Sequence, residues 1–436
     1  MKNQPKVTVI DAICGAGKTS YAIQMMNNGH RKDEYFGEYS EVRDDRYIYV
    51  TPFLDEVSRI KNNTDIEINE PKNRPTKQQD VKHMVSYGDN IVMTHELFSR
   101  LTVDILSDIE MQGYTLIMDE VANVLQQVDI SKREIQIMFD SNMITVDEDG
   151  KVEWIDEEYD VKESKRFSDI KLLAEKENLF IENGSVMFWT MDVQSFTSFE
   201  DVYILTYLFD GQVQKYYYDM HNLQYDKKTV VFNGEEYELQ KYKIEEEPRD
   251  EIGKLLNIYE DNNNSKGRKR NINTNFIENK KTNSALSSTW FSKAKKNEIE
   301  QLQKNLYNYF RHIENTPNAK LFWTTKKSCA KLLTTPKTKL NKNDDRSKDN
   351  FLPLNARATN KYSDRYSMAY LYNRFMNPME KSFFNTRGVK VNEDMLAQSD
   401  LIQFLFRGCI REGKEMNCYI PSSRMRNLLY DWMEYK

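Results

Sequence analysis

One stretch near the start of the chain restricts the fold more than any other. Val7-Thr8-Val9-Ile10-Asp11 is a β-branched run, Ala12-Ile13-Cys14-Gly15-Ala16-Gly17 is a small-residue turn, and Lys18-Thr19-Ser20 opens a helix with apolar Tyr21, Ala22, Met25 and Met26. Strand, glycine-rich turn and helix in that order are the context a phosphate-binding loop requires. Gly15 and Gly17 let the backbone curl so that successive N–H groups face one anion, and the helix N-terminus adds its partial positive charge. The stretch therefore predicts a parallel α/β sheet that binds a nucleoside triphosphate through Cys14, Gly15, Ala16, Gly17, Lys18, Thr19 and Ser20. Lys18 is suited to the β- and γ-phosphates and the Thr19 hydroxyl to Mg²⁺. The first position of the pattern is Ala12 rather than Gly, which leaves the loop geometry intact. A chance turn ahead of a helix is the plain alternative, and the full spacing argues against it.

Triphosphate hydrolysis needs more: an acid for Mg²⁺ and a group to position the attacking water, at the end of a neighbouring strand. Leu116-Ile117-Met118-Asp119-Glu120 delivers adjacent carboxylates to the sheet edge where open α/β sheets bind ligands. Asp119 is assigned to Mg²⁺ and Glu120 to the catalytic water.

At 436 residues the chain has room for two or three domains of about 100–200 residues. Strands are predicted at 46–52, 90–95, 114–120 and 184–192, each running into a helix or turn, with an acidic hairpin around 150–155 inserted in the sheet. A helix is expected to start near Phe53 and another to run from His95 to about Ile105. A second α/β unit is expected to begin near Val202, interrupted by a hairpin at 229–236 and a polar stretch from 245 to 281. Order returns with Leu321-Phe322-Trp323-Thr324. This gives domains 1–198 and 199–436, with inserts near 145–180 and 225–285. No apolar run reaches the ~18 residues of a membrane span, and Met1 to Lys6 leaves no room for a signal peptide ahead of the first strand. The four cysteines carry no CxxC pairing. A cytoplasmic protein is the expectation.

Net charge is −6, yet residues 266–348 hold 20 Lys and Arg against 6 Asp and Glu. Such a stripe suits either phosphate neutralisation or a solvated linker.

The order of motifs resembles superfamily 2 helicases and translocases of the DEAD-like, bacteriophage type. The first-domain motifs are Gly15-Ala16-Gly17-Lys18-Thr19, Thr51-Pro52, Met93-Thr94-His95, Asp119-Glu120 and Trp189-Thr190-Met191-Asp192. The second-domain motifs are Phe322-Trp323-Thr324-Thr325-Lys326, Ala356-Arg357-Ala358-Thr359-Asn360, and Gln403 through Arg411. The resemblance implies two RecA-like P-loop domains, ATP with Mg²⁺ between them, and a DNA or RNA strand contacted by both. It also implies catalytic roles for Gln403, Arg407 and Arg411, which on a helix near 401–412 would share one face at i, i+4 and i+8. Thr51, Thr94, Thr190, Thr324 and Thr359 become candidate phosphate contacts, although a hydroxyl after a strand is also an ordinary helix cap. His95, Trp189 and Trp323 are suited either to base stacking or to core packing. Here motif II lacks the Ala-Asp ending, and the second arginine falls one position late.

Three functions compete: an ATP-dependent nucleic-acid motor, a nucleotide-controlled binding module or partner-activated ATPase in a replication or transcription assembly, and a terminase-type packaging ATPase. The last wants a C-terminal nuclease with clustered carboxylates, for which the candidates are Asp364, Glu380, Glu393 and Asp394.

Overall fold

The computed structural model describes residues 5–29, 45–52, 54–159, 166–263, 269–277, 283–334, 350–354 and 361–436. The backbone groups into two compact units: Met1–Ala12, Gly17–Tyr242 and Met376–Val391 in the first, Ile13–Ala16, Lys243–Phe375 and Asn392–Lys436 in the second.

In chain order the first unit contains β1 (Lys6–Asp11), β2 (Arg46–Thr51), β3 (Ile68–Asn69), β4 (Asn90–Thr94) and β5 (Tyr114–Asp119). An inserted segment then supplies β6 (Leu125–Gln127), β7 (Ile144–Val146), β8 (Val152–Trp154), β9 (Leu179–Glu182) and β10 (Val186–Thr190). After it come β11 (Asp201–Thr206), β12 (Tyr225–Phe232) and β13 (Tyr237–Lys241). The main sheet has eight strands in the order β13-β12-β1-β11-β5-β2-β4-β3. Every neighbouring pair is parallel except the β12–β13 hairpin. Its central strands read as apolar runs because both faces are covered: Val9, Ile10, Ile48, Val50, Ile91, Val92, Leu116, Ile117, Met118, Ile204 and Leu205 are fully buried.

Several expectations are corrected here. The boundary placed at 198/199 falls instead after Tyr242, because β11 pairs with both β1 and β5, and β12 with β1. The hairpin at 229–236 is thus an edge of the first sheet rather than an insert in the second unit. Residues 186–190 are not a strand of the parallel sheet: β10 lies between β6 and β9 in an antiparallel three-stranded sheet. The acidic hairpin β7–β8 likewise forms its own two-stranded sheet. These strands fold around a separate core of Ile135, Met138, Ile144, Val152, Leu179 and Met187, so the insert spans more than 145–180. The helix after β4 also breaks into His95–Phe98 and Val103–Gln112, with Thr94 and Thr102 at the two N-caps.

A late segment completes the first unit. Asn377 caps the helix Pro378–Thr386, whose Phe383 packs on Phe180 and Phe188 of the inserted sheet at 5.8 and 5.4 Å between ring centres. Arg387 reaches the buried Glu182 carboxylate at 3.3 Å.

The second unit holds β14 (Leu256–Ile258), a small hairpin of β15 (Asn262–Asn263) and β16 (Lys269–Arg270), then β17 (Leu321–Thr324), β18 (Ser367–Tyr370) and β19 (Met416–Tyr419). Its sheet runs β14-β19-β18-β17, all parallel. Leu321, Phe322, Trp323, Met368, Tyr370, Met416 and Cys418 are fully buried in it. Each unit is therefore an α/β body on a parallel sheet, the fold class expected. Among the described residues, no helix is long and apolar enough to cross a membrane.

Candidate active site

β1 ends at Asp11 and the helix Lys18–Asn28 begins seven residues later. Between them Gly15 and Gly17 adopt φ of +93° and +99°, a region L side chains enter only with strain. Gly17 is constrained twice, since a Cβ there would also collide with the Tyr237 ring. That ring is held in place by Gln24, whose Nε2 donates to the Tyr237 carbonyl at 2.9 Å and whose Oε1 accepts from the Tyr237 N–H at 2.8 Å. Lys18 Nζ donates to the Ala12 carbonyl at 2.5 Å, back across the mouth of the loop. Thr19 and Ser20 sit half-buried in the first helical turn, and Cys14 half-buried in the turn before it.

The acid pair closes β5. Asp119 ends the strand, and the His95 ring fixes that end through Nε2 to the Asp119 carbonyl at 2.8 Å. His95 thus positions the strand rather than presenting a stacking face. Burial, then the neighbouring Glu120 carboxylate, pushes the Asp119 carboxyl up to about 7, with the Lys18 ammonium opposing. The Tyr49 phenol is held well above its usual range by burial and by Asp119. Glu120 turns off the strand at φ +65°, a sparsely populated backbone state for a side chain of this size. Its N–H donates to the Leu205 carbonyl at 2.9 Å.

Sequence reasoning missed the strand that joins these parts. β11 lies between β1 and β5, and its end is tied to both: Leu205 to Glu120, and the Thr206 carbonyl to the Ala12 N–H at 3.2 Å. Leu205-Thr206-Tyr207 therefore occupies the place between loop and acid pair. Asp11 was also missed. Fully buried, its carboxylate accepts from the Leu208 and Phe209 N–H groups at 2.8 and 3.0 Å and meets Lys227 Nζ at 3.3 Å. It fixes the turn that follows β11. The strand run at Val202–Tyr207 was visible in sequence; its position in the sheet was not.

Of the candidate threonines, Thr51 and Thr94 are register partners at the ends of β2 and β4, while Thr190 lies in the separate antiparallel sheet. Thr51 and Thr324 are fully buried strand-end residues, and Thr190 is buried in the antiparallel sheet. Thr94 is the N-cap of His95–Phe98, its hydroxyl accepting from the Leu97 N–H at 3.4 Å. Thr359 lies outside the described residues. Trp323 is core, 4.9 Å from Phe351.

The late helix is shorter than expected. It runs Glu393–Leu405 and keeps Gln403, which bonds Ser399 Oγ at 3.3 Å. Arg407 lies beyond its end, and Arg411 sits exposed in a separate 3₁₀ turn, Cys409–Glu412. The three side chains therefore do not share one helical face. Gly408 is the reason: a Cβ there would strike Phe322 and Met416, so the chain passes close against β17 and β19 and leaves the helix. The carboxylates proposed for a nuclease are also apart. Asp364 pairs with Lys320 at 3.0 Å, Asp394 with Arg424 at 2.6 Å, and Glu380 belongs to the helix Pro378–Thr386.

A glycine loop between strand and helix, with an acid pair across one intervening strand of the same sheet, gives the first α/β unit a single candidate site at its strand ends. The chain belongs to the YonV family: it is 36% identical over 98% of its length, and 99% of the relative's, to the SPbeta prophage-derived uncharacterized protein YonV of Bacillus subtilis (strain 168). Residues 250–433 match the family model of the YonV C-terminal Rossmann-like domain, and residues 125–189 that of the YonV middle domain. The latter coincides with the inserted antiparallel sheets. Among solved structures, S. tokodaii Xpd4 is similar at 12% identity with a TM-score of 0.48, covering 98% of this chain and 94% of that one. A structure named XPD_APO is similar at 11% identity and TM-score 0.49, covering 99% and 95%.

Proposed function

We propose that the chain is an ATP-dependent nucleic-acid translocase or helicase. The observation that carries this reading is the joining of loop and acid pair through β11 on one sheet. In it, the loop N–H groups and Lys18 hold the triphosphate of ATP, Thr19 and Asp119 hold Mg²⁺, and Glu120 orients the attacking water. A Mg²⁺ ion beside Asp119 would supply the positive charge that keeps this carboxyl ionised. Arg407 or Arg411 stabilises charge on the transferred phosphoryl group, and DNA or RNA is the track.

The test is steady-state ATP hydrolysis by the purified protein, with single-stranded DNA, duplex DNA and RNA titrated in parallel. Turnover stimulated by one polymer is expected, and Glu120→Gln should bind ATP yet lose turnover by about 10²-fold or more. Turnover indifferent to every polymer would replace the motor by a partner-activated ATPase. No turnover under any condition would remove the enzyme.

A further inference from the structure

Trp189, suited by sequence to base stacking or to core packing, borders together with Asp192 a cavity of about 580 Å³ in the first unit. One wall is the turn after the helix His95–Phe98, including Arg100; the other comes from the inserted domain, including Trp189, Gln126 and Lys176. Trp189 on β10 stands directly opposite Gln126 on β6, so the two side chains lie side by side on one face. Trp189 is half-buried, and among the described residues its ring stacks on no other ring and its indole N–H has no protein partner. The Gln126 amide and the Lys176 ammonium are exposed and also without protein partners among the described residues. Arg100 pairs at 2.6 Å with Glu96 in an ion pair open to water, of the kind that is weakly held.

We infer that this cavity is a binding pocket for one nucleotide of single-stranded DNA or RNA. The assignment rests on the function proposed above. An unstacked indole offers a platform to any base and an adjacent amide reaches the base edge; Arg100 and Lys176 share the lining with the carboxylates Asp129 and Asp192, so stacking rather than charge carries the recognition. The volume lies in the range of small-ligand pockets. It is large enough for an unpaired base. The inserted domain thereby takes part in holding the track.

The experiment is fluorescence anisotropy of labelled dT and rU 15-mers without ATP, so that binding is read apart from hydrolysis. Trp189→Ala is expected to weaken the preferred oligomer roughly 10- to 100-fold, from about 1–3 kcal/mol per stacked base. Trp189→Phe should restore most of the affinity. Wild type should also lose indole emission on saturation, and that loss should shrink in Trp189→Phe. Should Trp189→Ala fail to melt cooperatively, the exposed Lys176→Glu and Gln126→Ala carry the test, each expected to weaken binding severalfold. Wild-type affinity in these variants overturns the pocket while leaving the motor standing. A wild-type protein that binds neither oligomer overturns both.

Discussion

Asp119 carries a cost in the ligand-free protein. Its carboxyl ionises near 3.8 when unfolded and near 7 when folded, because burial and Glu120 disfavour the charge. Between those pH values the folded state keeps a proton the unfolded chain has lost, so this group subtracts stability as pH rises through the window. Asp119→Asn should therefore stabilise the metal- and nucleotide-free protein, by roughly 1–3 kcal/mol at pH 8 and by less at pH 5. Urea unfolding at the two pH values measures it; an equal gain at both would remove the ionisation argument. The same variant should lose Mg²⁺-dependent turnover. At this scale the site divides cleanly between what was legible and what was not. Gly15, Gly17, Lys18, Thr19, Asp119 and Glu120 were found from neighbours within a few positions. Asp11, Thr206 and Tyr237 were not, because each meets the site through partners about 200 residues away along the chain.

Among elements, the inserted domain depends on a helix that arrives some 190 residues later in the sequence. The helix Pro378–Thr386 brings Phe383 onto the inserted sheet, and the following Arg387 stacks over Phe383 at 3.9 Å. Arg387 also donates to the Asp149 carbonyl at 2.5 Å and meets Glu182, which accepts from Ser382 Oγ at 2.6 Å. Removing one partner of a buried pair strands the other. Arg387→Ala should thus destabilise the first unit by about 2–4 kcal/mol, and adding Glu182→Gln should recover part of that loss. Chemical denaturation of the single and double variants decides the matter; a double variant as weak as the sum of singles would deny the coupling. Nothing local marks Pro378–Thr386 as a partner of residues near 180, since its Asn cap and N-terminal Pro specify a helix and not its neighbour. The broken helix at Gly408 teaches the same lesson. The i, i+4, i+8 spacing of Gln403, Arg407 and Arg411 was read correctly, and packing of Gly408 against Phe322 and Met416 overrode it.

For the whole molecule, the arginines of the second unit discriminate between a motor and a nucleotide-gated binder. Under the proposed function one of them is needed for turnover and dispensable for ATP binding. Arg407→Ala and Arg411→Ala, assayed side by side for nucleotide affinity and hydrolysis, should separate: one loses about 10³-fold or more in turnover with affinity kept. Equal, near-normal turnover in both would leave the late motif without a catalytic role. Fold class was legible at this scale because alternating apolar strands and helices, opened by a glycine loop, leave few architectures other than parallel α/β. The division into units was not. The chain from 1 to 436 fixes strands, turns and the phosphate loop through hydrophobic period and backbone stereochemistry, which act between near neighbours. Tertiary packing alone decided that β11 lies between loop and acid pair, that 186–190 belongs to an antiparallel domain, and that 378–386 returns to the first unit. Those outcomes depend on which apolar faces bury one another across long loops, and sequence spacing carries no record of that choice.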